Sequence, residues 1–381
     1  MGQGVEVGHN LRYYAGFRSP PEEIHQGQAL LPYLRNESLV VIPRNGEPAL
    51  LTTRADEHLL RRQTWIQDVR SGRETYLGDE RLTGLAQMTR DVLRERGISR
   101  GKVGIAGVGI TLGLYQALVR ANPRLEFVEC TEEVDRLRMI KSENELKIMR
   151  KAAEIADVGV EAFYETAKEG VLEYEVHQAV ERAMFDAGGD NPWSVIMSGP
   201  RAYISYVSPD YTQRILKSGD MMHADIGSEY GGYHSDIQPV AIIGTPLQEQ
   251  ISLLATDIKV MRAMIAATKP GASDKDIVQA AVSSARGEPF GDRLRMYLFG
   301  HGYGVGVDPP NLTARTLQKA RHEKIILKPN MLLCYEPALN VPGVGGAALE
   351  DELIVTDSGC EVITKCLAHA ERLLSELKSH R

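Results

Sequence analysis

Apolar and polar residues alternate along Met221-Met-His-Ala-Asp-Ile-Gly227 and again from Tyr233 to Ile243, with Tyr230-Gly231-Gly232 between the two runs. Alternation of period two predicts strands and the glycine pair predicts a tight turn, so the stretch reads as a β-hairpin. With the turn centred between Tyr230 and Gly231, Asp225 is expected to pair with Asp236, their Cβ atoms roughly 5 Å apart on one face. Two facing carboxylates repel, the more so when buried, unless a cation or a shared proton lies between them. The same period turns His223, His234 and Gln238 to that face.

The remaining pattern predicts mixed helix and sheet. Leu39–Ile42 and Ala49–Thr52 flank Asn45-Gly46, a hairpin signal. Lys102–Ala106 reads as a strand, Leu112–Val119 as a helix and Glu126–Glu129 as a strand, which is an α/β layer pattern. Ser142 with Glu145 makes a capping box ahead of a long amphipathic run to Ala167, stopped by Gly170. Further helices are expected over Tyr174–Ala187, Leu247–Thr268 and Ser273–Ala285, and strands over Ser194–Met197, Met331–Glu336 and Ala347–Thr356. The strongly charged stretch before Ser142 marks a domain boundary near 132–138, giving domains of 1–135 and 136–381.

Composition narrows the function classes. The chain has 381 residues, 43% hydrophobic and 25% charged, with a formal net charge of −7, which argues against a general nucleic-acid binder. No apolar run is long enough to cross a bilayer, so no membrane partner is expected. The start, Met1-Gly-Gln-Gly-Val-Glu6, lacks the basic and apolar segments of a secretory signal. Cys130, Cys334, Cys360 and Cys366 are scattered without metal-ribbon spacing, and reduced thiols in the cytoplasm are the simplest reading.

Three more residues are candidate ligands for the cation. His301 stands among four glycines in Phe299-Gly-His-Gly-Tyr-Gly-Val-Gly306, where backbone can pack close to a site. Glu336 ends the apolar strand Met331–Cys334, and Glu350 interrupts an apolar pattern that continues as Leu353-Ile-Val-Thr356. A charged residue in such a setting is costly unless paired. Taken singly, each is more often a satisfied histidine or a surface carboxylate. Two Asp, one His and two Glu together favour manganese, cobalt, iron or zinc over a thiolate site. Two bridging carboxylates would hold a pair of ions about 3.5 Å apart.

These five residues, in this order and in these settings, resemble the pita-bread metallohydrolases, the family of methionine aminopeptidase, aminopeptidase P and prolidase. Asn10-Leu-Arg-Tyr-Tyr-Ala-Gly-Phe17 is similar to the first-domain motif of the proline-specific members, and Met139-Ile-Lys-Ser-Glu-Asn-Glu145 to the start of their interdomain helix. The resemblance implies an α+β fold: a C-terminal pita-bread catalytic domain behind a smaller, creatinase-like N-terminal α/β domain. Only nine residues precede Asn10, so that domain is expected to be shortened at its start, or the start codon misassigned. The resemblance implies two divalent ions, with manganese first and cobalt, zinc or iron as alternatives. Asp225 would bind one ion, Asp236 and Glu350 would bridge, His301 and Glu336 would complete one ion, and Glu336 would help deprotonate the attacking water. A homodimer is implied as well.

The departures from that family concern the substrate. Xaa-Pro enzymes carry a histidine after the Ser-Gly-Pro segment, where Tyr206 stands here, and a second one past the ligand histidine, where this chain has Pro309-Pro310. An arginine two residues before the last glutamate is replaced by Ala348, and the Asp-Ile-Thr-Arg segment reads Asp236-Ile-Gln-Pro239. By alignment with that family, Tyr206, Arg201 and Tyr203 would line the substrate pocket. His234 has a counterpart in methionine aminopeptidases. His223 is a candidate extra ligand, proton shuttle or hydrogen-bonded support. The expected activity is cleavage of a peptide or amide C–N bond in a small peptide, of the Xaa-Pro peptidase type. The alternative is a small-molecule hydrolase or lyase on the same scaffold, like creatinase, ectoine hydrolase or dimethylsulfoniopropionate lyase. A non-catalytic binding module is a third reading, disfavoured by the retained ligands.

Overall fold

The computed structural model describes residues 38–52, 54–72, 79–106, 110–203, 213–318 and 324–379. The chain divides into two compact units, 1–135 and 136–381. The Asn10–Phe17 motif lies outside the described residues.

In the first unit β1 (Leu39–Val41) and β2 (Ala49–Thr52) form the hairpin signalled by Asn45-Gly46, paired Leu39 to Leu51. After α1 (Arg54–Gln63), β3 (Asp68–Ser71) joins β2 in parallel. Helix α2 (Asp79–Glu95) leads to β4 (Gly101–Ile105), and α3 (Leu112–Ala121) to β5 (Leu125–Glu129), with β4 and β5 parallel. Leu51, Leu85, Leu114 and Leu118 share one buried cluster, which ties β2 to α2 and α3. Burying each such side chain contributes about 1.5–3 kcal/mol. Thr111 caps α3 by accepting from the Leu114 amide. Helix α4 (Thr131–Arg138) spans the border between the units.

The second unit opens with α5 (Glu143–Thr166), whose Ser142–Glu145 capping box forms as the sequence predicts. Helix α6 (Glu173–Asp186) follows, then β6 (Asp190–Ser198), β7 (Met221–Tyr230), β8 (Tyr233–His234) and β9 (Val240–Ile242). Strand β7 is central, with β6 on one side and β8 and β9 on the other. Ile155, Val160 and Phe163 of α5 and Val176 and Val180 of α6 pack on Met222, Ala224 and Ile226 of this sheet. Helices α7 (Gln248–Ala267) and α8 (Asp274–Ala285) lead to β10 (Gly300–Tyr303) and β11 (Val307–Leu312), then short α9 (Ala314–Gln318) and β12 (Leu332–Tyr335). A hairpin of β13 (Ala338–Val341) and β14 (Gly345–Ala348) precedes β15 (Asp351–Val355), β16 (Cys360–Val362) and α10 (Cys366–Ser379). A five-stranded sheet runs β11-β10-β12-β15-β16. Its Leu333, Tyr335 and Leu353 share a core with Leu254, Ile258 and Met261 of α7 and Ile277 and Val278 of α8.

Two local expectations are corrected. The hairpin turn is centred on Gly231-Gly232, both at positive φ (55° and 81°), which suits a two-residue turn whose central residues are both left-handed. Glu229 therefore pairs with His234 and Ile226 with Ile237, a register two residues away from the expected one. The glycine-rich segment around His301 forms strand β10. A Cβ at Gly300 would stand 2.2 Å from the Cys334 carbonyl oxygen and one at Gly302 2.5 Å from that of Pro309, so only glycine admits these strand contacts. The run expected to be one strand over 347–356 breaks at Glu350, which bridges to Gln238 while β14 pairs with β13 and β15 with β12. Helix α10 escaped the sequence pattern because its start is set from afar. The buried Asp351 accepts from the Cys366 and Leu367 amides at 2.9 and 2.7 Å and from Thr364 Oγ1 at 2.6 Å.

Candidate metal centre

Four backbone elements deliver the acidic and imidazole groups to one place: the β7 hairpin, β10, the end of β12, and the residue between β14 and β15. One ligand atom from each of Asp236, His301 and Glu350 lies within 4.8 Å of the others. His301 Nε2 stands 3.5 Å from Glu336 Oε1, 3.7 Å from Asp236 Oδ2 and 4.0 Å from Glu350 Oε1. The other ring nitrogen, Nδ1, is 3.1 Å from the Gly302 carbonyl. A carbonyl only accepts, so Nδ1 carries the proton in the neutral ring and Nε2 points a lone pair at the three carboxylates.

Asp225 enters through Asp236. With the register two residues off, the two are diagonal neighbours on the same face rather than directly opposed, and their carboxyls hydrogen-bond. Such a bond needs a shared proton. Burial, followed by the charge of Glu336, pushes the Asp225 carboxyl up to about 7. Asp236 and Glu350 are driven well above the ordinary range by burial and then by neighbouring carboxylates.

The donor set fits a divalent cation. Asp225 Oδ1 and Glu350 Oε1 are buried and accept no hydrogen bond, although a buried carboxylate oxygen without a partner is costly. Oxygen ligands from four carboxylates with a single imidazole are the chemistry of hard to intermediate divalent ions.

The surroundings fix the backbones that carry these groups. Glu352 accepts from the Asp236 amide at 2.8 Å, and Asp257 of α7 accepts from the Leu349 amide at 3.0 Å. Gln238 and Glu350 exchange backbone hydrogen bonds of 3.3 and 3.1 Å, and Gln238 Nε2 also donates to Glu350 Oε2 at 2.6 Å. Arg295, nearly fully buried, donates to Glu336 Oε2 at 2.7 Å.

The family profile described as Metallopeptidase family M24 matches residues 147–357, and that of the Creatinase/Prolidase N-terminal domain matches residues 5–140. The chain belongs to metallopeptidase family M24. It is 30% identical over 271 residues to the Xaa-Pro dipeptidase of Pyrococcus horikoshii, covering 69% of this chain and 74% of that one. It is 25% identical over 368 residues to the creatinase of a Bacillus species, covering 94% and 84%. Among solved structures, the Xaa-Pro dipeptidase of Bacillus anthracis superposes with a TM-score of 0.77 at 24% identity, over 94% of this chain and 90% of that one. The M24 assignment makes the chain a metal-dependent hydrolase, and the pita-bread α+β fold with a creatinase-like N-terminal domain is its architecture.

Of the other residues singled out in the sequence, His223 and His234 neighbour groups of this centre. His223, 2% exposed, hydrogen-bonds the Ala202 backbone, while its Nδ1 has no hydrogen-bond partner. Burial and then the Arg295 charge push it down to about 4, so it is neutral at physiological pH. His234 lies with Nε2 3.8 Å from Glu229 Oε1 and its ring 6.0 Å from that of Tyr303, whose other neighbour is the His301 ring at 5.3 Å. Arg201 pairs with Glu173 at the start of α6, and Tyr203 is half-buried in the turn after Gly199–Arg201. Tyr206 lies outside the described residues. The sequence reading missed Glu352, Asp257 and Arg295. Glu352 carried a signal, since period two places it on the same face as Glu350. Arg295 and Asp257 come from elements with no motif of their own.

Proposed function

We propose that this chain is a dinuclear metal hydrolase that cleaves the C–N bond of a short Xaa-Pro peptide, of the aminopeptidase P or dipeptidase type. The observation that carries this reading is the convergence of Asp236, Glu336 and Glu350 on His301 Nε2 within 4.0 Å. Asp225, Asp236, His301, Glu336 and Glu350 are assigned as the metal-holding set, with Asp236 and Glu350 shared between two sites. Bound divalent ions supply Lewis acidity, polarising a carbonyl and making water acidic enough to react near neutral pH. Glu336 would help to deprotonate that water. His223, neutral and with Nδ1 unbonded, is the group available to hydrogen-bond a substrate, and His234 is a second candidate, next to Glu229 and Tyr303. Arg201, Tyr203 and Tyr206 are assigned to the substrate side of the site.

The oxygen-rich set supports manganese, with cobalt, zinc or iron as substitutes. The Xaa-Pro dipeptidase name of relatives at 30% identity supports the substrate class. A homodimer and a cytoplasmic setting complete the reading, supported by the family resemblance and by four free, scattered cysteines.

A second reading, a small-molecule hydrolase or lyase, is favoured by the creatinase sequence match, which spans more of the chain than the Xaa-Pro dipeptidase sequence matches, and by Ala348 and Pro309-Pro310. A panel of Xaa-Pro dipeptides and tripeptides decides between them. Proline release by the manganese-loaded protein is expected, and none with metal fully loaded moves the assignment to the second reading. His223→Ala should slow turnover with the metal content unchanged, whereas loss of metal from that variant would make His223 a ligand.

A further inference from the structure

We propose that Glu352 is a positioning residue for Asp236. Its side chain takes the place of a main-chain partner for the Asp236 amide and so ties the hairpin ligand to the five-stranded sheet. The inference rests on the assignment of Asp236 to the metal-holding set, and it holds whichever substrate is cleaved.

The register leaves this position to a side chain. The Ser235 and Ile237 amides turn to β7, donating to the Ser228 and Ile226 carbonyls at 2.9 and 3.0 Å. Period two turns the intervening Asp236 amide, with that of Gln238, to the opposite side. There Gln238 pairs with Glu350 through both main-chain bonds. Two residues along, antiparallel pairing would set Asp236 against the main chain of Glu352. That main chain is engaged elsewhere. Cys334 of β12 is its partner on one side, its carbonyl accepts from the Ile363 amide at 2.9 Å, and its amide donates to Thr364 Oγ1 at 2.9 Å. Glu352 Oε1 receives the Asp236 amide instead, at 2.8 Å.

The carboxyl has no other hydrogen-bonding task. Among the described residues Oε2 accepts no hydrogen bond, although it is buried. The neighbours on that face, Cys334 across on β12 and Ile354 two residues on, belong to an apolar cluster with Leu146 and Met149. A leucine or methionine would suit such surroundings at less cost than a fully buried carboxyl. What the carboxyl adds is one acceptor at the nitrogen of Asp236, a single bond from the Cα that bears its side chain. Asp236 Oδ2 lies 3.7 Å from His301 Nε2, and Glu352 stands two residues beyond Glu350. The tie therefore holds Asp236 of one sheet against the segment that carries Glu350.

Hydrogen exchange in the metal-free protein and manganese titration test this role in wild type, Glu352→Met and Glu352→Gln. In Glu352→Met the Asp236 amide should exchange about ten- to a hundred-fold faster than in wild type, while those of Ser235 and Ile237, held by β7, keep their rates. Manganese binding by the same variant should weaken about ten- to a hundred-fold. Glu352→Gln, whose side-chain oxygen can accept the same bond, should stay within about five-fold of wild type in both measurements. A role in stability alone would speed all three amides together and leave manganese binding by the folded protein unchanged, and that result would overturn the proposal. If Glu352→Met does not fold, wild type alone decides, because an Asp236 amide that exchanges as fast as a solvent-exposed one overturns it too. A wild type that binds no manganese removes Asp236 from the metal-holding set and the proposal with it. An unprotected Asp236 amide in a protein that binds manganese overturns the role of Glu352 alone.

Discussion

His301 Nε2 and Asp236 Oδ2 stand 3.7 Å apart although His301 belongs to the five-stranded sheet and Asp236 to the hairpin of the other. Each sheet contributes groups that the other cannot replace. Asp236→Ala removes a carboxylate that faces His301 and hydrogen-bonds Asp225, so activity and metal retention should disappear together. His301→Ala takes away the imidazole and should weaken retention while the fold persists. Metal content after dialysis, measured beside the far-ultraviolet circular dichroism spectrum, checks both; an Asp236→Ala protein that keeps its full metal content would remove Asp236 from the set.

Much of this centre could be read in the sequence because its acids break local patterns. Asp225 and Asp236 sit in alternating strands, and Glu336 and Glu350 interrupt apolar runs. The hairpin register could not be placed, because either Tyr230-Gly231 or Gly231-Gly232 makes a tight turn. Left-handed geometry at both glycines decides for the second. A two-residue slip preserves the face, which is why the Asp225–Asp236 association survived the wrong register. Arg295 and Asp257 were invisible for a different reason. Each acts through a contact with a residue more than forty positions away, and no local period encodes that.

The carboxylate cluster makes stability depend on metal and pH together. In metal-free protein Asp225 has a native pKa raised from its ordinary 3.8 to about 7, with burial the main cause. The native state then holds a proton that the unfolded chain releases, so this stability is complete below about pH 4 and is lost as the pH rises through about 7. Bound cations reverse the sign, because they compete with protons for the same oxygens. The gap in melting temperature between manganese-loaded and chelated protein should therefore widen from about pH 5 to about pH 8. Calorimetry showing a constant gap would contradict the raised carboxylate.

Asp308 offers a stability test away from the metal. Its two oxygens accept from Arg138 at 2.9 Å and from Lys141 at 2.7 Å, with all three side chains at most 5% exposed. Asp308→Ala leaves both buried cations without this anion, and breaking a buried pair in this way costs about 3–5 kcal/mol. Chemical denaturation should show a loss of that order, and a change below about 1 kcal/mol would mean that water reaches the cations.

His177 and Glu181, one turn apart on α6, should make opposite contributions to the pH profile of stability. His177 Nδ1 is 2.6 Å from Ser194 Oγ and 3.3 Å from Glu181 Oε1. Burial pushes His177 down from 6.5 to about 4 and Glu181 up from 4.5 to about 7. For His177, the stability present above pH 6.5 is lost as the pH falls towards 4, because the unfolded chain takes up the proton first. For Glu181, stability is present below pH 4.5 and lost as the pH rises towards 7. Between pH 4.5 and 6.5 the two slopes oppose each other, and removing one partner exposes the other. Glu181→Gln should therefore lose stability on acidification from about pH 7 to about pH 5, and His177→Gln should gain it, each by on the order of 1–2 kcal/mol relative to wild type. Urea midpoints at the two pH values test the pair. Parallel shifts in both variants would show that the proton is shared between the side chains rather than excluded from one and held by the other.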